Sequence, residues 1–529
     1  KALTVKDVPI KGLSLNATVF DGKLKVTKFQ TANAAGLAVN VSGDIVDLKK
    51  TRGVIDPQFD NFKFNIRGKS LARLFSLAKF SSPVPAGQIG AVRLAGTLSG
   101  KPRALKVSTN TSMLGGKFSL SGLVEPLRPA PRVDGKFSAT HPSLVKLVRR
   151  LGSSYRPAGK KIGGVNLSGR LKGDAQRMSF PNLAGSAAGI TIAGSAATDL
   201  SGARPKVIAN LETSPIVIDD ILPAKQTAFL NRTLKEIRHA FSANPLLRRV
   251  SYNSLSRGLK APARKIEVAV KGVAAGAPWT KAPIDLLFLK GFDGDIKLRS
   301  KRLRFQKYQV DAVNLASLLT DGVVDLQRLT GKAYGGDIKI DGQAIAAPTR
   351  NQYQTRFEIK NMDTGRLLSS LGTRGFRRGA LNMVGEFRTI GRSTLDLVRT
   401  LSGGGTIAIR GLDISNAAKS GSALSGFANL FLSLNQFGST LTGGKASSKQ
   451  ADFNTSFRLA QGIARFEDMS LRSGLGNGAA KGAVDLPNWR IDTAGEIQLS
   501  QNILAQILLR NSSKKPNLPF KISGRLDDP

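Results

Sequence analysis

The sequence predicts a mainly β protein: an extended, curled, repetitive antiparallel sheet left open as a β-groove, with short amphipathic helices and one helical insertion. Three observations predict it. Apolar and polar residues alternate over short runs that stop at glycine, the pattern of half-buried strands joined by tight turns. The same phrases return along the chain, as they do where supersecondary units stack and bury one continuous apolar face. Glycine is abundant, 56 residues in 529, with no collagen period, against 25 Phe, 5 Tyr and 2 Trp.

Residues 1–50 read as a meander. Leu13, Leu15, Ala17 and Val19 alternate with Ser14, Asn16 and Thr18; Asp21-Gly22 turns the chain, and Leu24 and Val26 resume the alternation. Asp-Gly between alternating runs is a strong hairpin signal. A larger unit follows: a strand over 62–66, an amphipathic helix over 70–77 and a strand over 90–100. The same order recurs at 135–139, 143–148 and 164–173, and again at 356–360, 364–371 and 379–388. A shorter two-strand phrase is interleaved with it at 22–26 with 36–43, at 321–326 with 334–342, and at 462–466 with 478–486. Its second half stands alone at 114–122.

From 219 to 263 the pattern turns helical, with Phe229, Leu234, Ile237 and Phe241 among Arg232, Lys235 and Arg238. This predicts an insertion lying over an edge or face of the sheet, after which Ile266, Val268 and Val270 restart the strands. The chain thus divides into N-terminal groove repeats (1–200), the insertion with its return strand (201–275), further β repeats (276–400) and a closing segment (401–529). In the closing segment Leu424, Phe427, Leu430, Phe431 and Leu434 form one helical stripe. Ile503, Leu504, Ile507 and Leu508 form a second. Such stripes pack on the protein's own sheet or meet a membrane surface or partner helix.

Composition removes several function classes. Cysteine is absent, which excludes thiolate catalysis, disulfides and Cys-based zinc sites. Lys and Arg total 79 against 36 Asp and Glu, a net charge of +43. The basic residues are spread along the whole chain, which fits either a solvated outer face or an anionic partner such as lipid headgroups or nucleic acid. No apolar run reaches the roughly 18–20 residues that cross a bilayer. The chain opens at Lys1 inside a strand pattern, so an anchor upstream of it is expected.

No constellation for catalysis emerges, and neither an enzyme nor a cofactor nor a metal is expected. Gly68-Lys69-Ser70 resembles the end of a phosphate loop, but Lys63 stands where that loop needs its first glycine. Gly403-Gly404-Gly405 and Gly474 to Gly478 read as turns and bulges, since neither opens a βαβ unit with an acidic partner. His141 and His239 are far apart. The acid pairs Glu467-Asp468 and Asp527-Asp528 are adjacent, so on a strand their side chains point to opposite faces.

The alternating strands themselves remain as the functional surface. Their apolar face is either the dry core of a sandwich or the lining of a trough for acyl chains, and the repetition favours the trough. The candidate lining residues are Phe62, Phe64, Ile66, Val165, Leu167, Ile296, Leu298, Ile338, Ile340, Phe357, Ile359, Phe453 and Phe457.

Three stretches carry a family resemblance. Trp279 to Leu286, with Asp293 to Leu303 after it, resembles a phrase in which Trp-Ser and an Asp-Leu pair precede a strand; here Thr280 replaces the Ser. Asp321-Gly322, through Tyr334-Gly335-Gly336 to Gly342, is similar to a second phrase. Leu401 to Asp413, Val484 to Trp489 and Pro519 to Pro529 resemble a closing segment. All three phrases resemble those of the AsmA family. The resemblance covers 276–529, extends over 1–200 in repeat style alone, and leaves out the helical insertion.

The resemblance implies a non-enzymatic AsmA or TamB-like bacterial envelope protein. Such proteins are held in the inner membrane by an N-terminal helix and project a repeating β-groove into the periplasm. The implied function is to shield phospholipids and conduct them between inner and outer membrane. The implied partners are phospholipids, anionic ones included, the inner membrane, and an outer-membrane or other membrane protein. The alternative is an envelope assembly factor that assists outer-membrane protein insertion through open strand edges. Nucleic acid is disfavoured, because 5 Tyr and 2 Trp offer few stacking platforms.

Overall fold

A computed structural model describes residues 2–5, 8–48, 57–72, 76, 86–151, 156–159, 162–222, 231, 266–268, 277, 279–371, 376–413, 450–474, 476–499 and 517–525. Most of the helix expected over 70–77 and most of the insertion lie outside the described residues. So do both closing stripes, 424–434 and 503–508, and the pair Asp527-Asp528. The protein is mainly β and consists of open sheet with a few short helices. It divides into two compact units, Lys1–Thr227 with Phe292–Phe305, and Ala228–Gly291 with Gln306–Pro529.

In the first unit each strand from Ser14–Phe20 to Lys206–Thr213 pairs antiparallel with the next. Lys206–Thr213 lies inside the range assigned to the helical insertion, yet it extends the sheet. Its other edge pairs in parallel with Asp293–Phe305, Lys206 opposite Asp293 and Thr213 opposite Ser300. Ile216–Val217 continues that parallel contact.

In the second unit the antiparallel order runs from Tyr308–Thr320 to Asn517–Arg525. Ile266–Val268 adds in parallel to Asn517–Arg525. The sheet is therefore mixed rather than purely antiparallel. A parallel pair needs a crossover of about a dozen residues or more, where an antiparallel pair needs only a tight turn. The sequence between Thr213 and Asp293 is far longer than that minimum.

The turns follow from the sequence. Asp21-Gly22 (φ 44° and 74°), Asp321-Gly322 (50° and 76°) and Tyr334-Gly335 (49° and 83°) each place two residues at positive φ. This is the type I′ geometry whose twist matches the flanking strands. Gly403-Gly404-Gly405 is not a turn, because it lies within the strand Ser402–Asp413. The expected helices over 143–148 and 364–371 are present as Leu144–Arg150 and Thr364–Leu371. A further helix, Thr394–Thr400, absent from the sequence-based expectation, starts at Ser393, whose hydroxyl accepts from the Asp396 N–H at 3.1 Å.

Candidate functional site

Directly opposed residues of paired strands share a face, as do residues two apart along one strand. In the first unit this rule draws continuous rows. Val41, Phe64, Gly96, Thr109, Leu120, Phe137 and Gly169 are successive partners. The next row is Val39, Ile66, Leu94, Thr111, Phe118, Ala139, Leu167, Gly185 and Ile192. Phe62 starts a third row with Leu98 and Val107. Val165 stands opposite His141 and Ala187, two residues from Leu167. Ile296 and Leu298 oppose Ala209 and Leu211, which lead back through Ala196 and Gly194 to the same face. All seven candidates from this unit therefore lie on one apolar face.

The second unit repeats the arrangement. Ile338 opposes Ile359, which leads through Met383 to Ile407. Ile340, Phe357, Gly385, Gly405, Phe457, Phe466 and Gly482 form one row. Phe453 opposes Ile409 and Leu471. The six candidates from this unit again share one face. Val165 and Phe457 are buried and the other eleven candidates are half-buried. Among the described residues no second layer of strands covers either face.

How the rings are seated depends on cross-strand neighbours that alternation along one strand does not reveal. A Cβ on Gly385 would lie 2.8 Å from Phe357 Cζ, and one on Gly405 would lie 3.2 Å from Phe457 Cζ. The glycines thus leave room for rings from both neighbouring strands to lie across the sheet. Phe387 lies between them, stacked on Phe357 at 5.3 Å and tilted against Phe457 at 6.1 Å between centroids. Phe64 does the same over Gly96, where a Cβ would meet its Cζ at 3.0 Å. The result is a low aromatic floor rather than a ridge. Aromatic residues facing glycine across strands are the signal that could have revealed it.

The opposite faces are polar and charged. Arg170 donates to both oxygens of Asp134 at 2.7 and 2.9 Å, and that bond holds the Asp134 carboxyl below its ordinary range. Lys360 does the same for Glu358. Glu467 and Asp468 are both exposed, contrary to the expectation of opposite faces. A register shift between Phe466 and Met469 absorbs the extra residue. Asp468 accepts from the Ser456 N–H and hydroxyl, each at 2.7 Å, and these bonds lower its pKa.

Strand ends define two rims in the second unit. At one, residues 279–286 run across the strand ends as a strap. Trp279 packs edge-on against Trp489 at 5.3 Å and donates its indole N–H to Leu486 O at 2.6 Å. Thr280 O accepts from Leu395 N, and Ile284 O accepts from the buried Asn351 amide at 2.9 Å. At the other rim Thr364–Leu371 turns Leu367 and Leu368 toward the apolar clusters.

In the first unit His141 has a structural role. Its Nδ1 accepts from Ser143 N–H at 3.0 Å and its Nε2 is 3.1 Å from Leu114 O, which ties the strand end to the Leu114-Gly115 turn. Among the described residues no three His, Asp or Glu side chains gather to hold a metal. No described helix is long and apolar enough to cross a membrane.

In each unit an open repeating sheet with a half-buried apolar face defines a β-groove architecture. The AsmA family model matches residues 155–469, more than half of the chain, and the protein belongs to the AsmA family. The match begins well upstream of Trp279 and stops before Val484–Trp489, so it takes in the insertion and leaves out the end of the closing segment. Comparison with curated proteins and with solved structures found no match. AsmA membership fits envelope-related transport of lipid or protein, and the family is not one of known enzymes.

Proposed function

We propose that the apolar faces hold acyl chains and that the protein conducts phospholipids between the inner and outer membranes, without catalysis. One observation supports this most: in each unit apolar side chains recur on one face from strand to strand, and most of them stay half-buried. Removing an acyl chain from water gains about 0.8 kcal/mol per CH₂, so such a face lowers the barrier to lipid movement. In this reading the working site is periplasmic, with an anchor upstream of Lys1 in the inner membrane.

Organic extraction of the purified chain tests the proposal. Phospholipid in stoichiometric amount is expected, with a marked loss in a folded Phe64→Asp variant. A folded chain that carries no lipid and takes up none rejects it.

One observation favours the second reading, assistance to outer-membrane protein insertion. Ser14–Phe20 pairs on one side only among the described residues. All seven of its residues are exposed, with Val19 at 72% and Phe20 at 77%. Such an edge can accept another strand. Under this reading, lipid-free protein captures an unfolded outer-membrane barrel chain, and Val19→Lys weakens the capture.

A further inference from the structure

We propose that a depression at the rim opposite the strap binds the phosphate of an anionic amphiphile, an inference that rests on the lipid reading above. It encloses about 580 Å³ and is lined by Lys307, Arg366, Arg377 and Arg378, with the hydroxyl residues Ser369 and Ser370. The only carboxylate among the described lining residues, Asp363, is already engaged. It accepts from Arg366 N–H at 2.9 Å and lies 3.7 Å from the Arg366 side chain. Arg377 and Arg378 therefore add two exposed guanidinium groups beside the Arg366–Asp363 pair on a concave surface.

The helix explains why the cations gather there. At 100° per residue, Arg366, Ser369 and Ser370 fall on one side of Thr364–Leu371, and Leu367, Leu368 and Leu371 on the other. The apolar side packs into the sheet, which leaves the polar side to the depression. Ser370 is held in place, since its hydroxyl accepts from Tyr334 at 2.8 Å and donates to Leu367 O at 2.7 Å. Arg377 and Arg378 follow the buried Phe376 and are exposed.

Phe376 selects an amphiphile over a free anion. It lines the depression and belongs to the same apolar cluster as Leu368 and Leu412, with Phe453 packed against it. A phosphate held by the arginines stands beside the apolar face, where the attached chains are buried. Arginine suits this task because its planar fork donates two hydrogen bonds to one phosphate.

The test compares binding of dioctanoyl phosphatidylglycerol, dioctanoylglycerol and inorganic phosphate to the purified chain and to Arg377→Glu/Arg378→Glu. A second variant, Arg458→Glu/Arg465→Glu, makes the same charge change on the polar face, where these two residues oppose each other. The expected result is at least about a tenfold loss for phosphatidylglycerol in the first variant alone. Dioctanoylglycerol binding should be unchanged in both. Equal losses in the two variants, or none, overturn the site while leaving the groove reading intact. Inorganic phosphate binding as tightly as the lipid also overturns it. If the unaltered chain binds neither lipid, the groove reading itself fails.

Discussion

The two rims of the second unit end the same strands with different chemistry. The strand Asn351–Asp363 begins at the strap and ends at the basic depression. At its first residue, a side chain only 2% exposed accepts from Ala347 N–H and donates to Ile284 O. Beyond its last residue stand exposed arginines. At the strap rim Trp279 and Asn351 tie the crossing segment to the strands, whereas at the other rim the side chains of Arg377 and Arg378 face outward. In a sheet whose apolar face is half-buried, this contrast sets a rim closed by tertiary contacts against a rim with exposed cations, where the phosphate site is proposed.

The largest expected effect tests that division. Trp489 is 5% exposed and packs on Trp279, so Trp489→Ala should cost about 3–5 kcal/mol. Arg377→Ala at the other rim should move stability by under about 0.5 kcal/mol. Urea midpoints of the two variants measure the comparison, and similar shifts would mean that the strap is no clamp. Trp279→Ala comes next, at about 2 kcal/mol, because it loses one ring contact and one hydrogen bond from a half-buried position.

Between the rims lies the aromatic floor, and Gly405→Val probes it. The added Cβ would collide with Val384 O, lie 2.9 Å from Gly385 Cα and crowd Phe457. A loss of about 1–3 kcal/mol is expected. A mutant as stable as the parent would show that the rings do not depend on the glycines beneath them.

Much of this was legible in the sequence because alternation is a local signal. Phe62, Phe64 and Ile66 declare a face by their spacing alone, and Asp21-Gly22 declares a turn. What was not legible depends on distant partners. Nothing near Trp279 announces Leu486, which lies 207 residues away. Nothing near Lys206 announces a parallel partner beyond residue 290. Gly403-Gly404-Gly405 reads as a turn until Phe457 and Val384 are placed beside it. The cap Ser393-Thr394-Leu395-Asp396 was readable, but its apolar residues are too few to stand out among strands. The charge offered even less guidance. A net +43 spread over the whole chain gives no address, and only the turn of Thr364–Leu371 brings Arg366 toward Arg377 and Arg378.

The smallest expected effect concerns acid and the strap rim. Asp396 sits in the first turn of Thr394–Thr400, and its pKa is lowered chiefly by the bond with Ser393. A carboxyl with a lowered folded value stabilises the fold in full above its ordinary value of 3.8. That contribution is lost as pH falls through the lowered folded value. The side chain is exposed, so the gain is expected to be about 0.5 kcal/mol or less. Urea midpoints of the parent should therefore fall slightly more on acidification than those of Asp396→Asn. Parallel pH profiles would mean that this helix end does not contribute to holding the strap, and that the clamp resides in the tryptophans and Asn351.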